Sequence, residues 1–178
     1  MEYDFSTLNI LAEVTTAFVA FAVIVASIRL TIGGELTPFQ KLLVHYFTES
    51  GLLAVSICLL PAVLWRAWPD ESIVATWTTW YTLIGGFTYM VFYLRRRARL
   101  RAPTPLISVF VVLGWFIWFP VLGITLTGIF WQPSLAMITF VCFWALCTTA
   151  LIFVSFLSSF IDYQSSLDKP QASPVRAP

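Results

Sequence analysis

The sequence predicts an all-α polytopic membrane protein, a helical bundle with five transmembrane helices. Three observations carry that prediction. Apolar residues make up 59% of the 178-residue chain and charged residues only 11%, against about 25% charged in soluble domains. Stretches such as 18–28, where Ser27 alone is polar, and 109–122 show no alternation, whereas a strand of a membrane barrel alternates its polarity over about ten residues. Five apolar runs reach the roughly twenty residues that a hydrocarbon core of about 30 Å requires of a helix. So few polar groups cannot clothe a water-facing globule, which excludes the soluble enzyme classes. A formal net charge of +1, with half of the basic residues packed between Arg95 and Arg101, also argues against nucleic acid, which needs a spread basic face. The lipid bilayer is the first partner.

The first span, 8–28, follows Glu2 and Asp4 with no basic segment before it, unlike a cleavable secretory signal, and is expected to be retained. The second, 39–65, opens on Thr37, Pro38 and Gln40, which read as N-cap, first-turn proline and capping-box partner. The third, 73–93, contains Gly85 and Gly86, small enough to let another helix approach closely, and precedes Arg95, Arg96, Arg97, Arg99 and Arg101. Thr104 and Pro105 cap the fourth, 105–131, in which Pro120, flanked by Gly114 and Gly123, is expected to kink the helix. The fifth runs over 134–161. Residues 163–178 hold too little apolar area to offset the entropy of ordering, and are expected to form a disordered cytoplasmic tail. No internal repeat is evident.

Basic residues in short loops set orientation. Arg29, Lys41, the five arginines from Arg95 to Arg101, Lys169 and Arg176 fall on one side, against Arg66 alone on the other. This places the N-terminus outside and the C-terminus in the cytoplasm, in an inner (plasma) membrane. Trp65, Trp68, Trp77 and Trp131 then gather at the outer interface, where an amphipathic indole sits best.

Ionisable groups inside a bilayer cost several kcal/mol and require a reason. The apolar stretch after Leu52 is too short to cross alone, so the second span must recruit His45 and Glu49, with Glu49 about 12 Å in from the cytoplasmic side. His45, Thr48, Glu49 and Ser56 share one helical stripe, and Asn9, Glu13, Thr16, Ala20 and Ser27 make another. A short loop makes the two helices antiparallel neighbours, so the stripes are expected to face each other or a shared interior. Glu49 then has two readings: a neutral acid hydrogen-bonded to His45 or Thr16 that fastens helices together, or a proton or cation site on a conduction route. Glu13 is either part of that interior or an interfacial residue beneath the outer headgroups. The arginine cluster is an orientation signal first and an anionic-lipid contact second.

No metal or cofactor is expected. His45 and Glu49 are too few for a metal shell, haem needs a second histidine, and retinal needs a lysine that no span contains. Cys58, Cys142 and Cys147 lie within spans and read as apolar packing residues. Without an aspartate pair or a nucleophile motif, the chain is not expected to be an enzyme. The leading expectation is a small oligomeric channel or transport-related subunit. Its rival is a non-catalytic accessory subunit of a larger membrane complex, with Glu49 as interhelical glue.

Overall fold

The computed structural model describes residues 4–31, 38–99, 106–129 and 131–167. Among these the chain forms five helices in sequence: α1 (Ser6–Thr31), α2 (Pro38–Ala67), α3 (Glu71–Ala98), α4 (Leu106–Leu126) and α5 (Leu135–Leu167). Local chemistry marks the starts of α1, α2, α3 and α5. Asp4 accepts from the Ser6 N–H at 2.8 Å, Pro38 opens α2 where no N–H partner is needed, and the Asp70 carboxylate accepts from Ser72 and Ile73 at 2.8 and 3.2 Å. At α5 the Ser134 hydroxyl accepts from the Met137 N–H. Thr37, Thr104, Pro105 and Arg101 lie outside the described residues.

Three helix ends differ from the expected span boundaries. The fourth helix ends at Leu126 instead of 131, because Gly128 adopts a positive φ of 68° and the Thr127 and Gly128 N–H groups close a tight turn on Ile124 and Thr125. The third begins at Glu71 and runs on through Arg97 to Ala98, with the Arg99 N–H closing its last turn. The fifth continues helically to Leu167, past the expected start of the tail at 163, while residues from 168 onward lie outside the described set. Pro120 lies within α4, which continues across it.

Four helices, α1, α2, α4 and α5, carry stretches long and apolar enough to cross a membrane, so the chain is a multi-pass membrane protein in the coarse sense. The remaining expected span falls in α3, which at 28 residues is longer than α1 and α4 but diluted by threonine, tryptophan and tyrosine. Its polar side chains are not idle. Thr78, Thr79 and Thr82 are buried, and each hydroxyl donates to the carbonyl one turn back at 2.7 to 2.8 Å, which satisfies it in a dry setting.

Successive helices run antiparallel, and α2 and α5 sit at the centre, with α1 against both and α3 touching α2, α4 and α5. The core divides into two stacked clusters. At the Asp70 end, Leu8, Leu11, Ile57, Cys58, Val74, Leu135, Ile138 and Cys142 pack together. At the arginine end, Val19, Ala22, Leu43, Phe47, Met90, Phe119, Ile152 and Phe153 do so, with the Phe18 and Phe21 rings edge-on to Phe153. In lipid, helices associate through close packing and not through removal of apolar area from water. The α1–α2 contact shows how: a Cβ on Gly51 would collide with the Val19 side chain, and Ala12, Thr15 and Ala22 line the same buried face of α1.

Candidate functional site

Of the polar groups singled out on α2, Glu49 and Ser56 meet α3 and not α1. Arg96 Nη1 donates to both Glu49 carboxylate oxygens, at 2.7 and 2.8 Å. In α3 each Cα–Cβ bond tilts toward the helix N-terminus, so Arg96 leans back along its helix to meet Glu49, which lies deeper from the arginine end. Both side chains keep partial exposure, 46% for Arg96 and 37% for Glu49. The carboxylate beside it holds the Arg96 guanidinium further in its charged form.

Two further bonds tie the same seam. The Tyr89 hydroxyl donates to the Tyr46 backbone carbonyl at 3.0 Å, and the Ser56 and Tyr81 hydroxyls meet at 2.9 Å. The Tyr46 ring packs against Tyr89 and Tyr93, with centroids 5.6 and 4.4 Å apart. The α2–α3 seam is thus closed by an ion pair and two hydroxyl contacts, whereas the α1–α2 seam is closed by small-residue packing.

His45 and Thr16 do not join the Glu49 contact. His45 is exposed and turns to its own helix, its Nδ1 3.0 Å from the Lys41 carbonyl, an acceptor that requires a proton on Nδ1. Thr16 is likewise exposed and donates to the Ala12 carbonyl at 2.8 Å. Thr48 is half-buried. The α2 stripe lies on the side of that helix away from its buried Leu43, Phe47 and Ala54, and the α1 stripe of Asn9, Glu13, Thr16, Ala20 and Ser27 is exposed along its whole length. Thr15, one residue from the expected Thr16, is the α1 hydroxyl that is buried, and it donates to the Leu11 carbonyl. The physical reason is that lipid and protein interior are both apolar, so periodicity defines two faces without saying which one is turned inward.

Gly86 receives the Phe119 ring from α4, with a Cβ position only 3.1 Å from it, and Gly85 faces the Leu53 side chain from α2. Gly123 has nothing within 4 Å, whereas a Cβ on Gly114 would strike the Trp144 ring. Arg95, Arg96 and Arg97 occupy the last turn of α3 and Arg99 its C-cap, where cations suit the helix dipole. Cys58 and Cys142 are buried free thiols in the same core cluster. Among the described residues no three His, Cys, Asp or Glu side chains gather as metal ligands do.

The signals sequence reasoning missed are Arg96 as the Glu49 partner, Tyr89 and Tyr81 as seam hydroxyls, and Gly51 as a point of close packing against α1. Arg96 was visible as charge, but nothing in the sequence links it across 47 positions to Glu49. No protein-family model, no curated protein and no solved structure matches the chain.

Proposed function

We propose that the protein is a non-catalytic subunit that acts by lateral assembly in an inner (plasma) membrane, presenting the polar edge of α1 to another helix. The single observation that carries this is the exposure of Asn9, Glu13, Thr16 and Ala20 along that edge. At about 1.5 Å per residue, the 26 residues of α1 span about 39 Å. Centred on a core of about 30 Å, the helix holds Glu13 about 6 Å below the hydrocarbon surface. A carboxyl there and a Thr-x-x-x-Ala pair below it gain from a neighbouring helix and gain nothing from lipid tails.

On this reading all five helices cross. The segment of α3 from Ile73 to Leu94 carries no formal charge, and its buried threonines are satisfied within the helix. The basic residues at the arginine end put that end in the cytoplasm, with the N-terminus outside, and leave Arg95, Arg97 and Arg99 beside anionic headgroups. Glu49 serves as glue between α2 and α3, which favours an assembly subunit over a self-contained channel: its carboxylate is occupied by Arg96 instead of lining a shared interior.

The test is a photo-crosslinking residue placed at Ala20 and, as control, at Ile124 on the exposed face of α4, in intact membranes. A discrete protein adduct at position 20 and lipid adducts alone at position 124 are expected, and the adduct mass separates a second copy from a different subunit. Lipid adducts alone at both positions would overturn the assembly reading. Glu49-dependent ion flux in liposomes holding only this chain would restore the channel.

A further inference from the structure

At the Asp70 end, α2 and α3 leave between them an open groove of about 320 Å³, lined by Leu60, Leu64, Trp68, Trp77 and Tyr81. Its walls are two stripes at four-residue spacing, Leu60, Leu64 and Trp68 on one side and Trp77 and Tyr81 on the other, which puts each set on one helical face. Trp68 lies just past the end of α2 but keeps its register, with its N–H donating to the Leu64 carbonyl at 2.9 Å. Tyr81 is tied at the deep end to the Ser56 hydroxyl, 2.9 Å away. The two indoles are more than half exposed, Trp68 at 53% and Trp77 at 61%.

The groove runs from hydrocarbon depth to headgroup depth. The apolar span of α2 ends at Ala67, so Trp68 stands at the membrane surface and Leu60 about 12 Å deeper. Trp77, six residues after Glu71 in α3, sits about 9 Å below the start of its helix, with its Cα–Cβ bond tilted back toward that surface. The mouth is acidic. Asp70 precedes Trp77 by seven residues, two turns, and so lies above it on the same face. Both of its cap bonds fall on Oδ1, so Oδ2 takes no part in the cap. Glu71 follows it, whereas Arg66 is two residues from Leu64 and therefore on the opposite face of α2.

We propose that this groove binds a phospholipid with an ammonium headgroup, its acyl chain lying along Leu60 and Leu64 and its ammonium held at the mouth by the Trp68 and Trp77 rings and the Asp70 carboxylate. A cation is attracted to the face of an indole, and the acidic mouth repels an anionic headgroup. An apolar helix of another protein would cover the leucines but leave the Asp70 charge without a counterpart. The inference rests on the crossing of α2 and α3 and not on the α1 edge.

Native mass spectrometry of the full chain, released from nanodiscs that mix phosphatidylcholine, phosphatidylethanolamine and phosphatidylglycerol with the same acyl chains, tests it. Any phosphatidylglycerol held by the arginine end is common to parent and variants, so the readout is the change on substitution. Retention of the two ammonium lipids relative to phosphatidylglycerol is expected to fall roughly two- to fivefold in Trp77→Leu. It should also fall in Asp70→Asn, where asparagine still caps α3. Trp131→Leu, which removes an indole that is 72% exposed and outside the groove, should leave the ratio unchanged. A photo-crosslinking residue at position 77 in intact membranes should give lipid adducts. An unchanged ratio in both Trp77→Leu and Asp70→Asn, an equal fall in Trp131→Leu, or a protein adduct at position 77 would overturn the proposal.

Discussion

Removing the charge of Glu49 tests whether α2 and α3 are held by the ion pair seen between them. The contact is short, 2.7 Å, but both side chains are more than a third exposed, so solvent and headgroups screen it and a full low-dielectric Coulomb energy does not apply. Exposed pairs contribute about 0.2–1 kcal/mol in double-mutant cycles, and interhelical polar contacts in membranes average about 0.6 kcal/mol. A coupling of about 0.5–1 kcal/mol between Glu49 and Arg96 is therefore expected. The measurement is reversible unfolding in bicelles of the parent, Glu49→Gln, Arg96→Gln and the double variant, which isolates the pair from other effects of each change. Glu49→Gln keeps an oxygen that accepts from Arg96 and should lose less than Glu49→Leu, and raising the salt should shrink the coupling. The reasoning fails if Glu49 and Arg96 do not couple while Glu49 and His45 do, since the acid would then belong to the stripe on its own helix.

Three further outcomes follow from the geometry. Gly51→Val forces a side chain into Val19 and should cost about 1–3 kcal/mol of stability by overpacking, with partial rescue by Val19→Ala in the same unfolding assay. A reporter active only outside the cytoplasm, inserted at Asp70 and separately at Arg99, should be active at the first site and silent at the second; equal activity at both would mean that α3 does not cross. The Asp4 carboxylate accepts the Ser6 N–H, which holds its carboxyl below the usual carboxylate range. Its folded value is thus depressed, so its hold on the first turn of α1 is present above that range and is lost as pH falls through the folded value. The protection of the Ser6 amide relative to its intrinsic exchange rate at each pH should fall in acid, and Asp4→Asn should flatten that dependence.

Helix positions were largely legible because their ends are written in local chemistry. Pro38 opens α2 and Ser134 caps α5, and both signals act within a few residues. Gly128 stops α4 by the same kind of local rule, but within a long apolar run its effect was hidden until the backbone was known. The facing of each helix was not legible. In water the apolar side of a helix must point inward, whereas beside lipid that inference is lost. This is why the stripe through Glu13 and Thr16, expected to face α2 or a shared interior, is exposed in the five-helix bundle. The position of Glu49 on α2 follows from counting along the sequence, but its partner depends on the rotation of α2 about its axis. That rotation is fixed by Gly51 against Val19 and by the packing of Phe47 and Ile57, which no single segment encodes.

The unequal lengths of the last two helices have a mechanical consequence. The 21 residues of α4 measure about 32 Å and the 33 of α5 about 50 Å, and a short turn joins them at the Asp70 end. Running back beside α4, α5 overshoots its start by about 18 Å along the axis. A bilayer fitted to α4 would leave those final turns standing clear of it like a post. Those turns are one continuous helix as far as Leu167, so a twist or tilt of α5 in the bundle is carried to that end with leverage.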